Sequence, residues 1–218
     1  GAEDANILFL TDDSNGDALF GDDIYSDSYK ANGSPSWASG AMRLKNLDEI
    51  CAGAGDDVVD LSSNSFEYIG DSGLVIRGGD GNDVIWGADK GSTLFGDAGD
   101  DRIAGGSGND LISGGSGDDK LIGGGGDDRF CFAGDWGQDF VSQSDGTIKL
   151  FIDGGDEQYW NAEKRIYSDG NNKIEVFGDC QVTCVYGFDD AITAAGVSAS
   201  DSSGSIYDED GKGFIAVL

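Results

Sequence analysis

The sequence predicts an all-β fold: a parallel β-roll of short strands joined by tight turns, continued by antiparallel strands. Three observations carry this. First, residues 78–131 repeat one nonapeptide in a single frame, Gly-Gly-x-Gly-x-Asp-x-(apolar)-x, as GGDGNDVIW, GADKGSTLF, GDAGDDRIA, GGSGNDLIS, GGSGDDKLI and GGGGDDRFC. Uninterrupted tandem repetition at a fixed period is the signature of a coil that stacks on copies of itself. Second, the eighth position is apolar in every copy, as Ile85, Leu94, Ile103, Ile112, Leu121 and Phe130. A Gly/Asp-rich linker would not keep that position, so a flexible, solvated reading is disfavoured. Third, 38 glycines against one proline suit strands three residues long with tight turns between them.

Within each nonapeptide six residues form the turn and three the strand. Glycine at positions one, two and four tolerates positive φ and close backbone approach, so that carbonyl oxygens can converge. The Asp at position six adds a hard anionic oxygen, and such a set suits Ca²⁺, which takes ~6–8 oxygens at about 2.3–2.6 Å. The candidate carboxylate ligands are Asp83, Asp101, Asp110, Asp119 and Asp128, with Asp139 from a further turn, GDWGQDFVS at 134–142, and Asp57 from an outlying copy, CAGAGDDVVDL at 51–61. Candidate carbonyl ligands are those of Gly78, Asp80, Gly96, Ala98, Gly105, Ser107, Gly114, Ser116, Gly123 and Gly125. The position-five residues Asn82, Asp100, Asn109, Asp118 and Asp127 are expected to face solvent. The inward residues alone make a thin core, so folding should be coupled to occupancy by the ion.

This array resembles the RTX (repeats-in-toxin, hemolysin-type) calcium-binding repeat family, densely over about a third of the chain. The resemblance implies a right-handed parallel β-roll whose turns alternate between two edges, with each ion between turns two repeats apart. On this sequence one edge then holds Asp83, Asp101, Asp119 and Asp139, and the other Asp110 and Asp128. The copy GADKGSTLF is faulty, with Lys90 at the fourth glycine and Ser92 at the aspartate. The expected ladder is therefore asymmetric: three sites along the Asp83 edge and one between the Asp110 and Asp128 turns, about four calcium ions in all. The place beside Ser92 is expected to be empty or weak, with the Lys90 ammonium as a stand-in for the ion.

Outside the array, the organisation expected is an N-terminal β-rich cap over 1–50, the roll over 51–142 and an antiparallel C-terminal cap over 143–218. Asp13, Asn15 and Asp17 copy the first ligand positions of an EF-hand loop, but Ala18 stands where that loop requires glycine, and a surface turn is the better reading. Segments 147–153, 165–178 and 181–187 read as ordinary antiparallel strands, with a hairpin turning at Asp169-Gly170. Residues 189–196 read as a short helix. The end of the chain reads as a hairpin around DEDGKG, where Asp208 and Asp210 are exposed tip residues.

Composition narrows the function. The chain carries 42 acidic against 13 basic residues, a net charge of −29, and no histidine. Without histidine the Ser-His-Asp, Cys-His and His-Glu-x-x-His constellations are excluded. Nucleic acid is not expected as a partner, because there is no basic patch. No apolar run approaches the ~20 residues of a membrane span. Cys51, Cys131, Cys180 and Cys184 are too scattered for a disulfide framework and lack the C-x₂-C pairs of a zinc site, so free thiols are expected. The opening GAEDANILFL lacks the basic leader and apolar core of a secretory signal, and reads as a processed segment of a longer secreted protein.

The leading reading is a non-enzymatic, calcium-binding β-roll, secreted or at a bacterial cell surface, with a structural, adhesion or export role. Two alternatives stay open. One is an adhesin module for polysaccharide or a cell-surface protein; Trp37, Trp86, Trp136 and Trp160 could stack sugars, although closing gaps between roll and caps is the commoner use of such rings. The other is the non-catalytic C-terminal region of a secreted enzyme of the RTX type.

Overall fold

A computed structural model describes residues 49–62 and 74–186, together with strands at 7–9, 18–20, 197–199, 205–208 and 213–216. Two parallel sheets face each other, and the chain visits them alternately. The first sheet holds β1 (Ile7–Phe9), β3 (Glu49–Ala54), β5 (Val75–Asp80), β7 (Thr93–Ala98), β9 (Leu111–Ser116), β11 (Asp127–Phe132), β13 (Thr147–Ile152) and β17 (Gln181–Tyr186), in that spatial order. The second holds β2 (Ala18–Phe20), β4 (Val58–Asp60), β6 (Val84–Trp86), β8 (Arg102–Ser107), β10 (Lys120–Gly125), β12 (Gln138–Ser142) and β16 (Lys173–Phe177). Beyond β16 the second sheet adds antiparallel β15 (Ile166–Ser168) and β14 (Trp160–Asn161). A separate antiparallel sheet is made of β18 (Val197–Ala199), β19 (Ser205–Asp208) and β20 (Gly213–Ala216). Among the described residues the helical element is one 3-10 turn, Glu157–Tyr159.

The register puts the eighth residues of successive coils in two continuous columns. In the second sheet Val59, Ile85, Ile103, Leu121, Val141 and Val176 pair in line. In the first, Ile50, Ile76, Leu94, Ile112, Phe130 and Leu150 do the same. All are buried, and each contributes roughly 1.5–3 kcal/mol of apolar transfer. The turns that make this stacking possible need glycine. Gly79 has φ of 112°, and a Cβ there would strike the carbonyl oxygen of Gly53 one coil away. Two copies depart from this, with Ala88 and Asp97 at the second-glycine position, and Asp97 takes φ of 76° there. Its carboxylate lies 3.8 Å from the guanidinium of Arg77, which also bonds Glu49 at 2.8 Å and covers the Phe95 ring at 4.4 Å.

Two expectations are corrected. Segments 147–153 and 181–187 are not antiparallel: β13 pairs parallel with both β11 and β17, and β16 runs parallel to β12. Coiling thus continues past residue 142, with β14, β15 and their loops inserted into the last coil. An apolar alternation reads the same in either strand direction, and the glycine signal for coiling stops at Asp139. Coiling also starts before residue 51, since β1 and β2 already pair parallel with β3 and β4. The hairpin at Asp169-Gly170 is present as expected, with antiparallel β15 and β16 and Gly170 at φ of 105°. So is the hairpin of β19 and β20 at the end of the chain. The EF-hand-like stretch, the expected helix at 189–196 and Asp210 lie outside the described residues, as does Trp37.

The core is also less uniform than a thin column. At the C-terminal end Phe132, Trp136, Tyr159, Tyr167 and Tyr186 form a chain of ring contacts, with centroids 5.9 to 6.3 Å apart. Trp136 (3% exposed) belongs to this plug, and Trp160 packs against it, closing the roll, while Trp86 stays 42% exposed. All four cysteines are free, and burial pushes the thiols of Cys51 and Cys131 up to about 11 and about 12.

Candidate metal centre

The position-six aspartates are almost fully buried. Asp57, Asp83, Asp101, Asp110, Asp119, Asp128 and Asp139 are each 0–1% exposed. Buried carboxylates are costly unless every oxygen is satisfied. Here one oxygen is satisfied by the main chain of the coil before. The N–H of Asp57 donates to Asp83 Oδ1 at 2.7 Å, that of Asp83 to Asp101 at 2.7 Å, that of Asp101 to Asp119 at 2.8 Å, and that of Asp119 to Asp139 at 2.9 Å. The second edge runs from the Ser92 N–H to Asp110 Oδ1 at 2.6 Å, and from the Asp110 N–H to Asp128 Oδ1 at 2.8 Å. The structure therefore sorts these residues into the two edges expected from the repeat.

The other oxygen is different. Oδ2 of Asp83, Asp101, Asp110, Asp119 and Asp139 is buried with no hydrogen-bond donor. Each of the first four turns back beneath its own loop, into the space that a side chain on the first glycine would fill: Gly78, Gly96, Gly105 and Gly114 respectively. The carbonyl oxygen of the first glycine one coil on borders the same space: Gly96 O beside Asp83, Gly114 O beside Asp101, and Gly123 O beside Asp110. Of the other candidate carbonyls, those of Asp80, Ala98, Ser116 and Gly125 accept a ladder N–H at 2.7–2.8 Å, which leaves each one lone pair. Gly78 and Ser107 sit in β5 and at the end of β8, and Gly105 O faces Gly87, in the faulty copy.

This donor set fits a hard cation. Adjacent coils are about 4.8 Å apart, close to twice a Ca²⁺–oxygen distance of about 2.4 Å, so oxygens on neighbouring coils can share one ion. Among the described residues no group of three Cys, Asp or Glu side chains comes together in the manner of a side-chain metal site. The carboxylates are strung out one per coil, and main-chain oxygens would have to complete each site. At the faulty copy the buried Ser92 hydroxyl instead donates to Lys90 O at 3.1 Å, and Lys90 itself lies at the exposed surface.

The comparison with known families falls on this stretch. The RTX calcium-binding nonapeptide repeat matches in four copies, at residues 75–89 and 92–130. Residues 75–130 are RTX repeats. The two-residue gap in the match falls on Lys90 and Gly91, inside the faulty copy. RTX nonapeptide repeats bind calcium, and four copies fit about four ions. Among curated proteins none matches the chain. Among the described residues no helix is long and apolar enough to cross a membrane.

The RTX turns carry two features that the repeat pattern did not reveal. The position-five side chains face solvent as expected, but they also form a second ladder. Asp56 Oδ1 accepts from the Asn82 N–H, Asn82 Oδ1 from Asp100, Asp100 Oδ1 from Asp118, and Asp118 Oδ1 from Gln138, at 2.7–2.9 Å. Its direction is opposite to that of the position-six ladder, so each coil both gives and takes bonds. The second feature is Gln143, which donates to Asp128 Oδ2 at 2.6 Å. It lies outside the repeat, and only the register between coils brings it there.

Burial dominates the protonation of these aspartates, with neighbouring carboxylates adding to it and the main-chain hydrogen bond opposing. Asp83 and Asp119 are pushed up to about 6, Asp110 to about 7, Asp101 to about 8 and Asp139 to about 9. The folded values lie above the unfolded one of about 3.9. The metal-free fold therefore binds extra protons between about pH 4 and pH 9, and loses that stabilisation as pH rises through the window. If these carboxylates hold the calcium, protons compete for the same oxygens. Calcium affinity measured by calorimetry should rise from pH 5.5 to pH 8, with protons released on binding. An affinity flat across that range would contradict the burial described here.

Proposed function

We propose that this chain is a non-enzymatic RTX β-roll of a larger secreted or surface-exposed bacterial protein, folding where calcium is abundant. The observation that carries this reading is the row of buried carboxylate oxygens without a donor, those of Asp83, Asp101 and Asp110 each beside a main-chain carbonyl of the next coil. Calcium supplies positive charge and links neighbouring coils. Asp83, Asp101, Asp119 and Asp139 hold it along one edge, and Asp110 and Asp128 along the other, with Asp57 extending the first edge. The first-glycine carbonyls of Gly96, Gly114 and Gly123 are the favoured main-chain partners.

The unfolded chain cannot assemble these sites, because the donors of one site lie on coils 18 residues apart. Binding and folding are then one event. An anionic chain of net charge −29 stays open at low calcium and closes outside the cell. The test is a calcium titration of the whole chain followed by far-ultraviolet circular dichroism. A cooperative transition is expected with its midpoint at about 10⁻⁴–10⁻³ M, the range of extracellular calcium modules. A midpoint near or below a micromolar would place folding inside the cell and overturn the export reading.

A second reading, an adhesin surface, is favoured by one observation. Trp86, Ile122, Phe140 and Phe177 are all exposed on the outer face of the second sheet, the last two stacked at 5.8 Å. Binding to polysaccharide or a surface protein that is lost on Phe140→Ser and Trp86→Ser, with calcium folding intact, would establish it.

A further inference from the structure

The shorter edge stops being a repeat after Asp128, yet a set of oxygens like those of the preceding turns recurs there. Thr147 pairs with Asp127 and Ile148 with Asp128. The next coil on this edge therefore offers an isoleucine where an aspartate would stand, and Gln143 where a first glycine would stand. At Gly105 the space beneath the loop is bordered by Asp110 Oδ2 and by the main-chain oxygen of Gly123, one coil on. At Gly123 the same space is bordered by Asp128 Oδ2 and by Gln143 Oε1. A side-chain amide oxygen stands in the place of the main-chain carbonyl.

Gln143 is 5% exposed, and its Oε1 has no hydrogen-bond donor. Its amide nitrogen is firmly held, donating to Asp128 Oδ2 at 2.6 Å, to Asp145 O at 2.6 Å and to Gly126 O at 3.0 Å. A primary amide carries two N–H hydrogens, so these three acceptors saturate the nitrogen and fix the direction of the oxygen. A buried amide oxygen aimed beside a carboxylate and lacking a donor is an unfavourable arrangement, unless a cation lies between them. The arrangement resembles the one at Asp83, Asp101 and Asp110, where a carboxylate oxygen also has a carbonyl oxygen as its neighbour, except that here the donor-less oxygen is the amide's and Asp128 Oδ2 accepts from the Gln143 nitrogen.

The geometry points to a terminal calcium site built on Asp128 Oδ2 and Gln143 Oε1, which extends the shorter edge by one ion beyond the RTX repeats. It rests on the calcium reading above. With one carboxylate and a neutral amide as its side-chain donors, this is the weakest site of the ladder, since affinity follows ligand charge.

Ion stoichiometry of the full chain, by equilibrium dialysis against calcium alone, tests it together with two variants. Gln143→Leu should bind one ion fewer than wild type, with the remaining ions unchanged. Gln143→Glu should keep the full count and tighten the weakest ion by roughly tenfold, because it adds a second carboxylate. If Gln143 serves only as an amide donor to Asp128, Gln143→Leu keeps the full count, and Gln143→Glu melts lower at saturating calcium as two carboxylates confront each other. Either result overturns the site and leaves the calcium roll standing. A wild-type chain that binds no calcium overturns both.

Discussion

Removing calcium with excess EGTA should lower the melting temperature of this chain by about 20–40 °C, enough to abolish its β-sheet circular dichroism at 37 °C. The reason is the size of the terms in opposition. Buried carboxylates on coils about 4.8 Å apart repel one another by about 3–4 kcal/mol per neighbouring pair at an effective dielectric constant of ~20. Each ion that binds only the folded coil adds about 2.7 kcal/mol when calcium is at 100 times its dissociation constant. Four ions thus supply about 11 kcal/mol, as large as the whole stability of an ordinary domain, 5–15 kcal/mol by general experience. At roughly 2–4 °C per kcal/mol for a chain of this size, the loss amounts to the shift stated. The check is a pair of thermal melts, in millimolar calcium and in EGTA, with magnesium as a control for ionic strength. Equal melting temperatures in the two would remove the metal from the account of the fold.

Asp101→Ala should be the most damaging single substitution, raising the calcium midpoint at least tenfold and leaving a folded fraction that no longer saturates at millimolar calcium. Asp101 lies in the middle of the longer edge. Its Oδ1 accepts the Asp83 N–H at 2.7 Å, while its Oδ2 is buried beneath its own turn, where a side chain at Gly96 would stand. Alanine leaves the Asp83 N–H buried without an acceptor, a cost of about 1–3 kcal/mol. On the calcium reading proposed above, it also deletes a carboxylate shared by the ions on either side. Asp139→Ala makes the comparison: the coil beyond it presents Ile174 in register, so only one interface is affected and the effect should be about half. Asp101→Asn separates the causes, because it keeps an acceptor for the Asp83 N–H and removes the charge. If Asp101→Asn behaves like wild type in calcium, the hydrogen bond is what matters and the metal role of this residue falls.

Much of this was legible in the chain before any coordinates. The period of nine determined where each turn lies, which residue points inward and which aspartate is buried, because all three are settled within one repeat. Ile85, Ile103 and Leu121 are inside for the same reason that Gly79 is glycine. Where the repeat decays the reading fails in an instructive way. Strands 147–152 and 181–186 have the alternation of any half-buried strand, and nothing local distinguishes a parallel neighbour 20 or 34 residues back from an antiparallel one. The aromatic plug around Trp136 and Tyr167 was visible as rings, but not as a plug.

What the amino-acid sequence determined by itself is the coil and the hard-oxygen chemistry of its turns, since these follow from residue type at a fixed short spacing, while the two alternating edges were implied by the resemblance to RTX repeats. What only the tertiary structure decided is how the coils are matched: the continuation of the roll to β17, the position-five ladder running against the position-six ladder, and the arrival of Gln143 over Asp128. Those depend on the register between strands 18 to 35 residues apart, which is set by the inward columns packing in line. Register is a property of two segments together, and neither segment contains it alone.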